Sequence, residues 1–280
     1  MQKFQLELLF QIIGIGSASG LFFKNESLFL ISDNSKALYE YHLTDKKLDS
    51  HILLENPELP QENIPKKLKP DFESITPFGE DLCVFGSGST ENRNQMVQFN
   101  TYNKKAIKTL DLTDLYLSMQ YFAEIKPEDF NIEGSVFDGQ NWYFFQRGNG
   151  ENGQNGVFTV SGENLENEFS IVYNSYKLPK IKGVRTSFTD AILLDETLYF
   201  LATAENSKST YEDGEVLGSI IGSIDTKTMK LKSKQTISNK HKFEGLTLYK
   251  NNQDSLEFLL CEDKDSDVQQ SDIYKLTLKK

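Results

Sequence analysis

Apolar and polar residues alternate along this chain in short runs, and polar turn residues separate the runs. The second quarter of the chain shows the unit. Ser74-Ile75-Thr76-Pro77-Phe78 ends at the turn Gly79-Glu80-Asp81, and Leu82–Phe85 ends at a polar loop from Gly86 to Asn94. Gln95–Phe99 then ends at Thr101–Lys105, and Ala106–Leu110 completes the set. Short alternating runs between turn residues predict half-buried strands, so this segment predicts four of them. The plan returns in Trp142–Phe145, Gly156–Val160 and Phe169–Tyr173.

A second pattern lies over the first. Ala18-Ser19-Gly20-Leu21, Phe72-Glu73-Ser74-Ile75, Ile132-Glu133-Gly134-Ser135-Val136, Phe188-Thr189-Asp190-Ala191-Ile192 and Phe243-Glu244-Gly245-Leu246 share one order: apolar, oxygen-bearing, usually small, apolar. Their oxygen-bearing positions, 19, 73, 133, 189 and 244, are separated by 54, 60, 56 and 55 residues. That period, with strands inside each unit, predicts a propeller.

The expected fold is all-β: a five-bladed β-propeller with four antiparallel strands per blade, forming one domain over residues 1–280. The blades fall near 13–60, 70–112, 130–178, 185–238 and 241–280. The last has only three strands before the chain ends, so residues 3–12 are expected to supply its fourth and close the ring. Two stretches depart from a minimal blade. Asp111 to Phe130 predicts a short helix across one mouth, with Asp111 or Thr113 as N-cap, and residues 55–70 read as an irregular, proline-rich connector.

Composition narrows the function. Aromatic content of 12%, mostly Phe and Tyr, suits strands. A net charge of -11 argues against nucleic acid or an anionic membrane as partner. No apolar run is long enough to span a bilayer, and the N-terminus lacks the apolar core of a signal peptide. A cytoplasmic monomer is the expectation. Cys83 and Cys261 both lie in apolar strand runs and read as buried free thiols.

In a four-stranded blade, the start of the innermost strand, the loop after the second strand and the linker between blades open on one face. The repeat motifs therefore converge at one mouth. Ser19, Glu73, Glu133, Thr189 and Glu244 form its central ring. Around them fall Asp33, Asn34, Ser87, Ser89, Gln146, Arg147, Asn149, Glu205, Asn206, Glu262, Asp263 and Asp265. Three converging carboxylates raise one another's pKa or recruit a cation. Hard oxygen donors favour Ca2+, with Mg2+ as the alternative. His42 and His51 fall on outer strands and only His241 lies near the mouth, so zinc is not supported. The chain has three arginines, Arg93, Arg147 and Arg185, all in mouth segments, which points to a small anionic ligand oriented by them together with Asn149 and Ser87. Glu262–Asp267 lacks the Gly and distal Glu of a calcium-binding helix-loop-helix and reads as a solvated acidic loop. Gly148–Gly156 reads as a flexible turn and a candidate lid.

The order Ser, Glu, Glu, Thr, Glu resembles the five-bladed calcium-activated nucleotidase (apyrase) family. Ser187-Phe188-Thr189 and Lys242-Phe243-Glu244-Gly245-Leu246 look like that family's Phe-Ser and Tyr-Glu-Gly segments. The resemblance implies a calcium shell of Ser19, Glu73, Glu133, Thr189 and Glu244. It departs at Thr189, where Ser is usual, at Asn131-Ile132-Glu133, where His-Glu is usual, and in lacking Arg-rich nucleotide contacts. The Glu-Gly signature is also similar to phytase-like esterase and lactonase propellers.

Two functions follow. One is a metal-dependent hydrolase of a small phosphoryl or ester/lactone substrate, with Glu262, Asp263 or Glu205 as general base. The other is a non-catalytic ligand- or protein-binding propeller with a structural cation or a metal-free polar channel. Fold does not choose between them.

Overall fold

In the computed structural model, which describes residues 3–162, 164–166, 169–207, 214–264 and 268–280, five antiparallel sheets stand around a central axis. Blade 1 comprises β2 (Ala18–Lys24), β3 (Ser27–Ser32), β4 (Ala37–His42) and β5 (Lys47–Ile52). Blade 2 comprises β6 (Phe72–Phe78), β7 (Asp81–Gly86), β8 (Gln95–Asn100) and β9 (Lys105–Asp111). Blade 3 comprises β10 (Ile132–Phe137), β11 (Asn141–Gln146), β12 (Asn155–Ser161) and β13 (Ser170–Tyr176). Blade 4 comprises β15 (Val184–Leu194), β16 (Thr197–Asn206), β17 (Glu215–Asp225) and β18 (Leu231–Ser238), with the two-residue β14 (Lys180–Ile181) against its inner strand. Blade 5 comprises β19 (Phe243–Asn251), β20 (Ser255–Glu262) and β21 (Gln270–Lys279). The N-terminal strand β1 (Phe4–Ile13) pairs with β21 from Phe4–Leu278 to Ile13–Gln270 and completes it, as expected. Both chain ends are thereby held in one ladder.

The core lies between blades. Inner-strand and middle-strand side chains of adjacent sheets interdigitate, as with Phe85, Trp142, Phe144 and Phe158 between blades 2 and 3. The helix α1 (Thr113–Ala123) joins that cluster through Leu115, Tyr116 and Met119. It therefore covers the cleft between two blades rather than the axis. Its N-cap position is Leu112, and the Asp111 carboxylate accepts the Thr113 N–H at 2.8 Å. Cys83 and Cys261 are buried free thiols.

Candidate functional site

Each of the five motif positions is the extra residue of a β-bulge. The register between inner and second strand slips between Ala18 and Gly20, Phe72 and Ser74, Ile132 and Gly134, Phe188 and Asp190, and Phe243 and Gly245. The unpaired residues are Ser19, Glu73, Glu133, Thr189 and Glu244. A bulge re-aims one side chain and bends its strand, so five bulges in register turn five oxygen-bearing side chains out of the blade faces. This is the physical content of the repeat.

The hydroxyls and the carboxylates of the ring behave differently. Ser19 Oγ donates to Phe72 O at 2.7 Å, and Thr189 Oγ1 donates to Phe243 O at 2.8 Å. Each thus ties its blade to the residue just before the next ring position. The glutamates meet cations instead. Arg147 stands 3.1 Å from Glu133, 3.5 Å from Glu244 and 2.7 Å from Glu205. Lys242 lies 3.3 Å from Glu244 and 3.1 Å from Asp263. Burial raises the pKa of Glu133 and Glu244, with Arg147 and Lys242 opposing it in each.

Glu73 is different. It is only 8% exposed, and its carboxylate makes no hydrogen bond or ion pair among the described residues. Burial, reinforced by the nearby Glu133, Asp71, Asp33 and Glu244, pushes its pKa well above the ordinary carboxylate range. Its oxygens gather with those of Asp33 and Asp71 to within 4.8 Å. Lys69 bridges Asp33 and Asp71, and Arg93 sits 2.7 Å from Asp71. Burial disfavours the Asp71 carboxylate, but these two cations outweigh it and hold the group below its usual range. Asp71 also occupies the left-handed region, φ 54°, which few residues other than Gly, Asn and Asp tolerate. One Oδ of Asp33 is buried without a partner.

Beneath the ring the channel narrows at the next residue of each motif: Gly20, Ser74, Gly134, Asp190 and Gly245. A Cβ on Gly245 would stand 3.1 Å from Gly20 Cα, and one on Gly134 would stand 3.2 Å from Ala191 N. Small residues are needed here because neighbouring inner strands touch. Ser74 and Ser135 share a short hydroxyl contact. Asp190 is the exception in size. It accepts the N–H groups of Leu246 and Ala191, both at 2.7 Å, and burial pushes its pKa well up.

A family profile matches residues 14–278, which spans all five bulges. The chain belongs to DUF6929, a family of unknown function. No curated protein matches the sequence. Three solved structures share its fold at 10% identity. The major allergen Mala s 1 of Malassezia sympodialis superposes with a TM-score of 0.59 over 96% of each chain. The glutaminyl cyclase of Myxococcus xanthus gives 0.55 over 98% of this chain and 97% of its own. A luciferin-regenerating enzyme gives 0.52 over 99% and 97%. At such identity the likeness is one of fold.

Most of the remaining expected residues of this DUF6929 chain have partners of their own. Ser87 Oγ donates to Asp71. Glu205 takes the Gly214 N–H at 2.7 Å besides Arg147. Glu262 contacts His241 Nδ1 at 2.6 Å and accepts the Tyr274 hydroxyl at 3.0 Å. Asn149 Oδ1 is buried without a partner. Arg185 is exposed and donates to Gly153 O at 3.1 Å. The 148–156 loop is less free than a flexible turn. Asn155 bonds Gly148 N and Thr186 O, both at 2.9 Å, and Asn152 bonds Asp129. Asp265, and with it part of the acidic 262–267 segment, lies outside the described residues.

Lys69, Asp71, Lys242 and Asp190 were missed by sequence reasoning. A signal existed for two of them. The residue two before each ring position is polar in all five repeats: Ser17, Asp71, Asn131, Ser187 and Lys242. Four of them stand just before an inner strand, and among these Asp71 and Lys242 carry charge. Asn131, another of them, donates to Glu133 at 2.6 Å.

Proposed function

We propose that this chain is a cation-binding propeller whose acidic mouth hydrolyses a small ester, lactone or phosphoryl substrate. The observation that carries the reading is Glu73, a buried carboxylate that makes no hydrogen bond or close ion pair among the described residues, felt by Lys69 at longer range and facing four other carboxylates. Such a group either stays protonated or takes up a cation. The donor set is all hard oxygen, which suits Ca2+ or Mg2+. Glu73, Asp71 and Asp33 would hold the ion. Ser19 and Thr189 keep oxygen lone pairs for it, because both hydroxyls act as donors here. Glu133 and Glu244 would share the ion with Arg147, which meets each of them through Oε1. A bound divalent ion supplies electrostatic polarisation of a substrate oxygen. The resemblance of the ring order to calcium-activated nucleotidase propellers, and of the Glu-Gly signature to phytase-like esterase and lactonase propellers, supports the same assignment.

The protein's own groups suggest how the remaining work is divided. Lys69, Arg93, Arg147 and Lys242 each already face a carboxylate. This arrangement favours a neutral ester or lactone over a phosphoryl group. Among the expected general bases, Glu262 contacts an imidazole, that of His241, and in such a pair the imidazole takes the proton while the carboxylate orients it.

A second reading has its own support. Arg147 and Lys242 already stand among the ring carboxylates, and Ser19 and Thr189 tie adjacent blades, as in a metal-free polar channel. Melting after chelation, then with Ca2+, Mg2+ or Mn2+ restored, separates the two. At a hundredfold excess over Kd, binding adds about 2.7 kcal/mol. That is roughly 5 °C for a chain of this length. The cation reading expects this rise in the wild type and its loss in Glu73→Gln, together with cation-dependent turnover of nitrophenyl esters or lactones. No rise with any cation supports the metal-free channel.

A further inference from the structure

We propose that the channel end opposite the acidic mouth is a second binding site. It would take a neutral, largely apolar small molecule with one acceptor oxygen, such as a medium-chain ketone, ester or lactone. The inference does not depend on the reading of the mouth. Below the constriction, all five inner strands contribute to a cavity of about 350 Å3. That volume lies at the lower end of small-molecule pockets, and at roughly 30 Å3 per water-sized group it holds about a dozen heavy atoms. The five rigid strands that bound it also form the ring, so the cavity cannot collapse without distorting the propeller.

Its chemistry is the reverse of the mouth. None of its lining residues is charged. Phe22, Phe137, Leu193 and Leu248 stand half-buried in the wall, and Pro77 is exposed at the rim. Water gains little against such walls, whereas moving a ligand's apolar surface out of water is favourable. A carboxylate ligand would be desolvated here without a cation and is disfavoured.

One polar group gives the site direction. Thr247 is 3% exposed, and its hydroxyl oxygen accepts the Phe23 N–H at 3.0 Å. The hydroxyl proton has no acceptor among the described residues. The other two lining hydroxyls differ: Thr76 donates to Ser135 O at 2.7 Å, and the Ser135 hydroxyl is in contact with those of Ser74 and Thr76. Thr247 therefore offers an unspent donor to an otherwise uncharged, mostly apolar cavity, matched by a ligand with one carbonyl or ether oxygen.

The test uses the full chain and the neutral fluorophore 1-naphthylamine, which is small enough for this volume, displaced by 2-nonanone or by octanoate. The wild type should enhance the fluorescence, and the ketone should displace the probe at least tenfold more effectively than the carboxylate. Leu193→Trp fills the cavity and should weaken probe binding at least tenfold while circular dichroism stays native. If that variant misfolds, Leu248→Trp fills the cavity from a different strand. Thr247→Val should leave the probe bound but weaken displacement by the ketone roughly fivefold, the loss of about one hydrogen bond. Absence of probe and ketone binding to the wild type, unchanged binding in the folded tryptophan variant, or equal displacement by octanoate would each overturn the proposal. Unchanged ketone affinity in Thr247→Val would overturn the assigned anchor.

Discussion

Arg147→Met keeps an unbranched stem, though a shorter one, and removes the charge. The guanidinium is 6% exposed and stands 2.7 Å from Glu205, 3.1 Å from Glu133 and 3.5 Å from Glu244. Exposed ion pairs contribute about 0–1 kcal/mol, but this one is buried, and its loss leaves three carboxylates facing one another. Removing one partner of a buried pair costs about 3–5 kcal/mol. The three contacts share one guanidinium, so their terms do not add, and Lys242 still faces Glu244 at 3.3 Å. We expect a loss of about 4 kcal/mol near pH 8. At roughly 2.1 cal/mol/K per residue, that is about 7 °C in Tm. The loss should shrink toward pH 5, because carboxyls deprived of the guanidinium take up protons more readily and need it less. Thermal melts of both proteins from pH 5 to pH 8, in chelator, measure it. A deficit under about 2 °C at pH 8, or one of equal size at pH 5, would refute the assignment of Arg147 as the charge that holds the ring together.

Three further outcomes are expected. Burial raises Glu73, Glu244 and Asp190, so above pH 4.5 the native state binds more protons than the unfolded chain and stability falls as pH rises through their folded pKa values. Asp71 acts in the opposite sense, and its contribution is lost as pH falls below 3.8. Metal-free protein should thus be most stable on the acid side of neutrality, and Glu73→Gln should flatten the decline; a wild-type Tm that climbs steadily from pH 5 to pH 8 would contradict this. Gly245→Ala places a Cβ 2.6 Å from Cys261 Sγ and 3.1 Å from Gly20 Cα, which should cost about 1–3 kcal/mol in denaturant unfolding; an unchanged midpoint would mean that the inner strands separate easily. Burial pushes the Cys83 thiol up to about 12 and that of Cys261 well above its ordinary value, so neither should react with a disulfide reagent near pH 8 until the protein is unfolded.

The propeller was legible because its two periods are local. Alternation within strands and recurrence of the motif both follow from backbone geometry that each blade repeats, and the unpaired fourth strand of the last blade pointed to β1. The bulges were legible only as their consequence, an oxygen-bearing residue before a small one. The helix shows the limit. Its residues were recognised, but its seat beside blades 2 and 3 depends on Tyr116, which donates to Gly86 O at 2.8 Å and packs on Phe130, residues far from each other along the chain.

The sequence by itself determined which residues stand at the bulged starts of the inner strands, since their places in the blade repeat set their height along the axis. It did not determine how their charges are settled. Arg93 and Arg147 read as ligand contacts because the chain pattern places them in mouth loops, yet each ends beside buried carboxylates from other segments of the chain. Lys69 and Lys242 join them from the linkers. Ion pairing depends on distances of a few ångströms between groups tens of residues apart, and no local period encodes it. Only the closed ring decided that Glu133 and Glu244 share a guanidinium while Glu73 is left facing other acids. The same closure, five strands meeting around one axis, set an apolar cavity below an acidic mouth.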